Sequence, residues 1–328
     1  MNNPDNHSSA QPSLPIKIIS IIGGILASCA FVGFLFIAGL YESALAQLIF
    51  GIVFIAGAIW LDKQYNNILL DTFSISLFLI GGILIGIGLN EFGVSETLTY
   101  LIFIAIAALS LYMTQNQVLA LVAMLSIHAS IIAILFSNNQ YEFLLVYTPL
   151  LAATCYFVYT HSSWFGQQEG KPAQLYPAIR TASTLSFLSA LYLLGIRMTT
   201  PISPHLFWIA SVGIIGTILY QVNELSKEFN AEETGPQMKL LLLVTLLLLP
   251  TLFAPAISGA ILLVLLGFQF GYKTGFVLGI LSGIYFISQY YYDLSFTLLT
   301  KSILLLISGA LFLVLYFFLH KKLSPNEN

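Results

Sequence analysis

The chain has 328 residues, of which 58% are hydrophobic and only 8% charged, with a formal net charge of −3. Soluble domains carry about a quarter charged residues, so a water-facing surface of this size could not be covered and lipid must be the main solvent. The small acidic balance also excludes a nucleic-acid partner, which calls for a basic patch.

Residues 1–15 are polar and rich in Pro and Ser, the composition of a disordered tail. Lys17 then opens a long apolar run. Within it Leu26-Ala27-Ser28-Cys29 has the shape of a lipoprotein cleavage box. The run continues through Phe31-Val32-Gly33-Phe34 instead of giving way to polar sequence, which favours an uncleaved anchor helix. A spanning helix needs about 20 mostly apolar residues. That length predicts an all-α bundle of about twelve helices, near 16–40, 43–61, 72–90, 97–113, 117–136, 142–160, 178–196, 205–222, 238–253, 255–271, 274–291 and 297–320. The transmembrane domain then covers 16–322, and 323–328 form a second short tail. Around Pro250 and Pro255 the pattern fits either a tight helical hairpin or one broken helix, and the hairpin is preferred.

Charge placement orients this bundle. With the first tail in the cytoplasm, Lys17, Lys63, Lys171, Arg180, Lys227, Lys239, Lys273, Lys321 and Lys322 fall inside and Arg197 outside, with Lys301 inside the last helix. The positive-inside rule predicts such a bias, with both termini in the cytoplasm. The acidic stretch 223–237 then reads as a solvated cytoplasmic connector.

Few residues stand out chemically. Gly267, Gly271, Gly275, Gly279 and Gly283 recur every four positions, a spacing that lets helix backbones approach closely, and the turn at Tyr272-Lys273-Thr274 divides the ladder between two helices. Gly82 and Gly86 repeat the spacing in the third helix. Lys301 is the only basic residue expected within a helix. It either snorkels to the outer headgroups or turns inward to pair with Asp293 or Glu42, which share its level. Tyr290, Tyr291 and Tyr292 form an aromatic edge beside Asp293. His128 lies mid-helix and is expected to hydrogen-bond a neighbouring helix, while Pro149 is expected to kink the sixth. Cys29 and Cys155 are the two cysteines, too few for a disulfide framework or a zinc site. No catalytic motif, metal site or cofactor fingerprint is present, so no catalytic residue and no cofactor are expected.

Several segments resemble a bacterial integral membrane family known only as a domain of unknown function. These are Phe253-Ala254-Pro255, Leu265-Leu266-Gly267-Phe268, Tyr290-Tyr291-Tyr292-Asp293-Leu294 and Leu298-Leu299-Thr300-Lys301-Ser302, with Gly39-Leu40-Tyr41-Glu42-Ser43 near the start. Ala256 stands where the family pattern has a glycine after the proline. The resemblance implies a bacterial inner-membrane location and association with neighbouring-gene membrane proteins that carry a GDYxxLxY motif. The expected function is a non-enzymatic membrane subunit that docks other membrane proteins. The alternative is a secondary transporter, for which Pro-broken spans and Lys301 are compatible features.

Overall fold

A computed structural model describes residues 43–64, 68–162, 170–196, 201–229 and 234–293, together with isolated positions in 26–39 and 299–313. The tails, Cys29, Glu42, Arg197 and Lys301 lie outside the described residues, as do most of the expected first and last helices. The described residues hold helices and no strand.

Ten α-helices follow in order: α1 Ala44–Gln64, α2 Ile68–Glu91, α3 Glu96–Met113, α4 Gln117–Ser137, α5 Leu144–Thr160, α6 Lys171–Gly195, α7 Phe207–Phe229, α8 Thr234–Leu248, α9 Pro255–Gln269 and α10 Lys273–Asp293. They correspond one to one with the ten inner helices expected from apolar run length. Among the described residues six segments are long and apolar enough to cross a membrane. Their flanks explain their ends. Ser95 and Asn116 accept hydrogen bonds from the first free amides of α3 and α4, Leu98 N at 3.4 Å and Val118 N at 2.7 Å. Gly271 stops α9 with φ +62°, and the Tyr272 amide turns back to the Gly267 carbonyl at 2.9 Å, the closing bond of a Schellman turn.

Three boundaries differ from the run-length expectation. Helix α6 begins at Lys171 rather than near 178, because Pro172 and Pro177 suit a first turn and a kink, and polar residues there did not interrupt it. Helix α7 continues to Phe229, so the first half of the expected acidic connector is helical and carries an exposed Lys227–Glu224 pair at 2.8 Å. Between α8 and α9 the chain passes through a 3-10 turn, Leu249–Phe253, and breaks at Ala254 (φ −135°, ψ 66°). The chain reverses there, but α8 and α9 pack on α7 and make little contact with each other. The hairpin is therefore splayed rather than tight.

Packing divides into two parts. Helices α5, α6, α7, α9 and α10 enclose a core that includes Leu151, Cys155, Tyr159, Phe187, Leu191, Ile214, Ile218, Leu263 and Phe286. Pro149 inside α5 bears on Gly213 of α7, where an added Cβ would lie 2.5 Å from the proline ring. At the other side α1 and α2 form an antiparallel pair joined at reciprocal glycines: a Cβ at Gly51 would meet the Gly81 carbonyl at 2.9 Å, and one at Gly81 the Gly51 carbonyl at 2.8 Å. Helix α4 joins the two parts, packing on α3 and α6, whereas the α1–α2 pair touches α3 and α4 only lightly. Clefts remain where that contact is thin. The outward faces carry large apolar side chains such as Leu45, Ile52, Val53, Leu150 and Ile284, a surface suited to lipid.

Candidate functional site

The expected outer polar edge is partly visible. Tyr290 and Asp293 line a small recess of about 30 Å³ with Phe253, Ala254, Pro255 and Phe207, so the end of α10 meets the α8–α9 break. The Gln289 amide donates to Asp293 Oδ1 at 3.1 Å, and the rings of Tyr291 and Tyr292 stand edge to face at 5.9 Å. Tyr290 turns to the recess while Tyr292 is exposed, the divergence expected of consecutive helical positions. Lys301, the partner foreseen for Asp293, and Glu42, its alternative acid, fall outside the described residues.

The glycine ladder separates into distinct roles. A Cβ at Gly267 would stand 2.4 Å from the Phe276 amide nitrogen, and one at Gly279 2.8 Å from the Val264 nitrogen, so α9 and α10 meet backbone to backbone there. A Cβ at Gly275 would collide with the Tyr159 hydroxyl and the Tyr272 ring, both at 2.6 Å. Gly271 supplies the turn, and Gly283 has only an ordinary neighbour, Ala260 Cβ at 3.7 Å.

Gly82 and Gly86 do not form the α1–α2 contact, which belongs to Gly51, Gly81 and Gly88. They line instead an apolar cleft of about 500 Å³ between α2 and the α3–α4 pair. Its opposite wall bears Ser126, Ser130, Ala129 and Ala133 of α4, again at spacings of four. Nothing lies within 4 Å of a Cβ added at Gly82. Phe78 and Phe103 close its floor with Ile55. Two facing rows of small residues with empty space between them make a groove in which another helix backbone can lie close.

His128 Nδ1 meets the Tyr147 hydroxyl of α5 at 2.6 Å, the interhelical bond foreseen for it. Arg180 is counted among the cytoplasmic charges, at the very start of the helix expected near 178–196. With α6 starting at Lys171, Arg180 lies nine residues inside a helix, so a basic residue other than Lys301 is placed within a helix. Its guanidinium sits 3.9 Å from the Tyr272 ring centroid and 5.2 Å from that of Tyr176. Thr181 Oγ1 and the Tyr272 hydroxyl are 2.9 Å apart, as are the Tyr159 hydroxyl and Thr184 Oγ1. Aromatic faces thus take the place a carboxylate would hold beside a half-buried cation. The spacing Tyr176–Arg180, one helical turn, was a legible signal once the helix start was known.

A second buried ionisable group was also missed. Asp62, near the end of α1, accepts from Thr114 Oγ1 at 2.6 Å and from the Gln115 amide at 3.0 Å, locking α1 to the α3–α4 connection. Beside it the Lys171 ammonium donates to the Tyr112 carbonyl and lies 5.4 Å from the centre of that ring. Among the described residues no three His, Cys, Asp or Glu side chains gather as metal ligands would.

Residues 13–322 match the family described as domain of unknown function (DUF4401), and the chain belongs to that family. No curated protein and no solved structure matches it.

Proposed function

We propose that this DUF4401 member is a twelve-span bacterial inner-membrane protein, with both termini in the cytoplasm, that serves as a non-enzymatic docking subunit for other membrane proteins. The observation that carries the docking role is the cleft of about 500 Å³ walled by Gly82 and Gly86 on one side and Ser126, Ala129, Ser130 and Ala133 on the other. Association of helices in lipid depends on close van der Waals packing, for which facing small residues are the usual means. The resemblance to the family supplies the partner class, a neighbouring-gene membrane protein with a GDYxxLxY motif.

The topology has its own support. Side-chain contacts group the helix ends into two sets. One holds Asp62 with Thr114, Lys171 with Tyr112, Arg180 with Tyr272 and Gln221 with Gln269. The other holds Gln47 with Glu91, Thr97 with Asn138, and Asp293 near Ala254. The first set carries Lys171 and Arg180, which the positive-inside rule puts in the cytoplasm.

Purification in mild detergent from cells that express the neighbouring genes should recover a stoichiometric membrane partner with the wild-type chain. Gly82→Leu, which fills the cleft without touching the α1–α2 contact, should lose it. A clean monomer from wild-type cells, or a partner retained unchanged by Gly82→Leu, would overturn the docking role. Reporter fusions should place both termini inside, and an external reporter signal at either terminus would overturn the topology.

A further inference from the structure

A second groove lies on the other side of the thin contact between α1–α2 and α3, at the end occupied by Lys63. Its apolar part has a volume of about 430 Å³ and runs between α1 and α3 past Ile52, Ala56, Ile59, Trp60 and Leu109 to Lys63. Lys63, Leu109 and Met113 also belong to a second recess of about 420 Å³, completed by Tyr112, Gln115 and Lys171. The two are therefore one channel with an apolar body and a basic mouth.

We propose that this channel binds one anionic phospholipid, with a single acyl chain in the groove and its phosphate between Lys63 and Lys171. Charge argues for the headgroup. Lys171 lies within electrostatic reach of Lys63, so two like charges face the same recess. The only ammonium–carboxylate pair within 4.0 Å among the described residues is Lys227–Glu224, far along the chain. The nearest acid, Asp62, also reaches Lys171 electrostatically but forms no ion pair with it; it is buried and its Oδ2 accepts from Thr114 and Gln115. Lys171 commits one of its donors to the Tyr112 carbonyl and keeps two. Lys63 is exposed. A phosphate between the two ammonium groups removes their mutual repulsion and fills the free donors.

Length argues for the chain. From Ile52 to Lys63 the groove follows eleven residues of helix, about 16 Å. That is roughly one leaflet of a hydrocarbon core about 30 Å thick. A free anion would leave the apolar body unfilled. Exposed Trp60 and Tyr112 flank the mouth, as aromatic side chains do at headgroup level. Basic pockets between helices on the cytoplasmic side are a recurrent means of holding anionic headgroups.

Trp60 lines the groove and reports on it. With the other tryptophans, Trp164 and Trp208, replaced by Phe, the full chain is reconstituted in vesicles that contain brominated phosphatidylglycerol or brominated phosphatidylcholine at equal mole fraction. Phosphatidylglycerol should quench Trp60 with a several-fold higher apparent affinity. Lys63→Gln, at an exposed residue with no packing role, should bring the ratio close to one, whereas Lys63→Arg should preserve it. Ala56→Phe, which fills the groove from an exposed position, should weaken quenching by both lipids. Equal quenching by the two lipids in the wild type would overturn the proposal, as would an unchanged preference in Lys63→Gln. Displacement of the phosphatidylglycerol effect by millimolar inorganic phosphate would identify a free-phosphate site and overturn the lipid assignment. Displacement by a soluble acidic peptide would equally overturn it in favour of a protein partner. Because Gly82 lies in the other cleft, loss of a partner in Gly82→Leu leaves this result untouched.

Discussion

Alanine substitutions along the α9–α10 seam should form a graded series, since five glycines with identical spacing meet five different surroundings. At Gly267 the new Cβ would stand 2.4 Å from the Phe276 nitrogen and 2.6 Å from its Cα. Both are backbone atoms, so no rotamer change relieves the collision. Carbon contacts settle near 3.5–4.0 Å, so the helices must part by about 1 Å. Overpacking costs about 1–3 kcal/mol, and a backbone collision that opens the seam belongs at the upper end, about 3 kcal/mol. Gly279→Ala, with the Val264 nitrogen at 2.8 Å, should follow at about 2 kcal/mol. Gly275→Ala should cost a similar amount, because its obstacles, the Tyr159 hydroxyl and the Tyr272 ring, are held by hydrogen bonds and core packing. Gly271→Ala meets no atom but must hold φ +62°, a left-handed conformation worth about 1–2 kcal/mol against a residue with Cβ. Gly283→Ala has room and gains helix propensity of up to about 1 kcal/mol. Unfolding by SDS titration in mixed micelles, followed by loss of helicity, measures each value. A Gly283→Ala variant as damaged as Gly267→Ala, or a neutral Gly267→Ala, would refute the assignment of these roles.

Three further outcomes can be checked by the same titration. Asp62→Ala removes two hydrogen bonds to a charged acceptor, each worth about 1.5–3 kcal/mol, and should destabilise by about 3 kcal/mol, whereas Asp62→Asn, which keeps an accepting oxygen, should lose about 1 kcal/mol. Equal losses would deny the lock between α1 and the α3–α4 connection. Tyr272→Phe should cost about 1 kcal/mol through the bond to Thr181. Tyr272→Leu also removes the ring over Arg180, worth about 2 kcal/mol when desolvated, and Arg180→Met should recover part of that difference if the cation is its source. A double-mutant cycle of His128→Phe and Tyr147→Phe should give a coupling near 0.6 kcal/mol, the average for hydrogen bonds between membrane helices; zero coupling would mean the 2.6 Å contact contributes nothing.

Helix positions were legible because the bilayer imposes one strong condition, that each span be an apolar run of sufficient length. All ten described helices stand on such runs. Starts and stops were less legible where proline and polar residues occupy helical turns, and seven residues at the head of α6 moved Arg180 from the edge of a helix to nine residues within it. The interhelical role of His128 could be foreseen because a polar side chain within lipid needs a partner. Asp62 could not, since its partners Thr114 and Gln115 are more than fifty positions away.

Composition and run length thus settle that this chain is a bundle of apolar helices, because solvent acts on every residue alike and needs no knowledge of neighbours. Which face of each helix meets which other face depends on distances that no spacing encodes. Gly82 and Gly86 have the same pattern as Gly275 and Gly279, yet Gly82 borders open space and Gly86 only the Phe103 ring, whereas Gly275 and Gly279 lie in a closed seam. The two clefts beside α3 exist only because the α1–α2 pair seals on itself through Gly51 and Gly81 and leaves little surface for α3 and α4. Close packing is a property of pairs of surfaces, and it is in the folded bundle that those pairs are chosen.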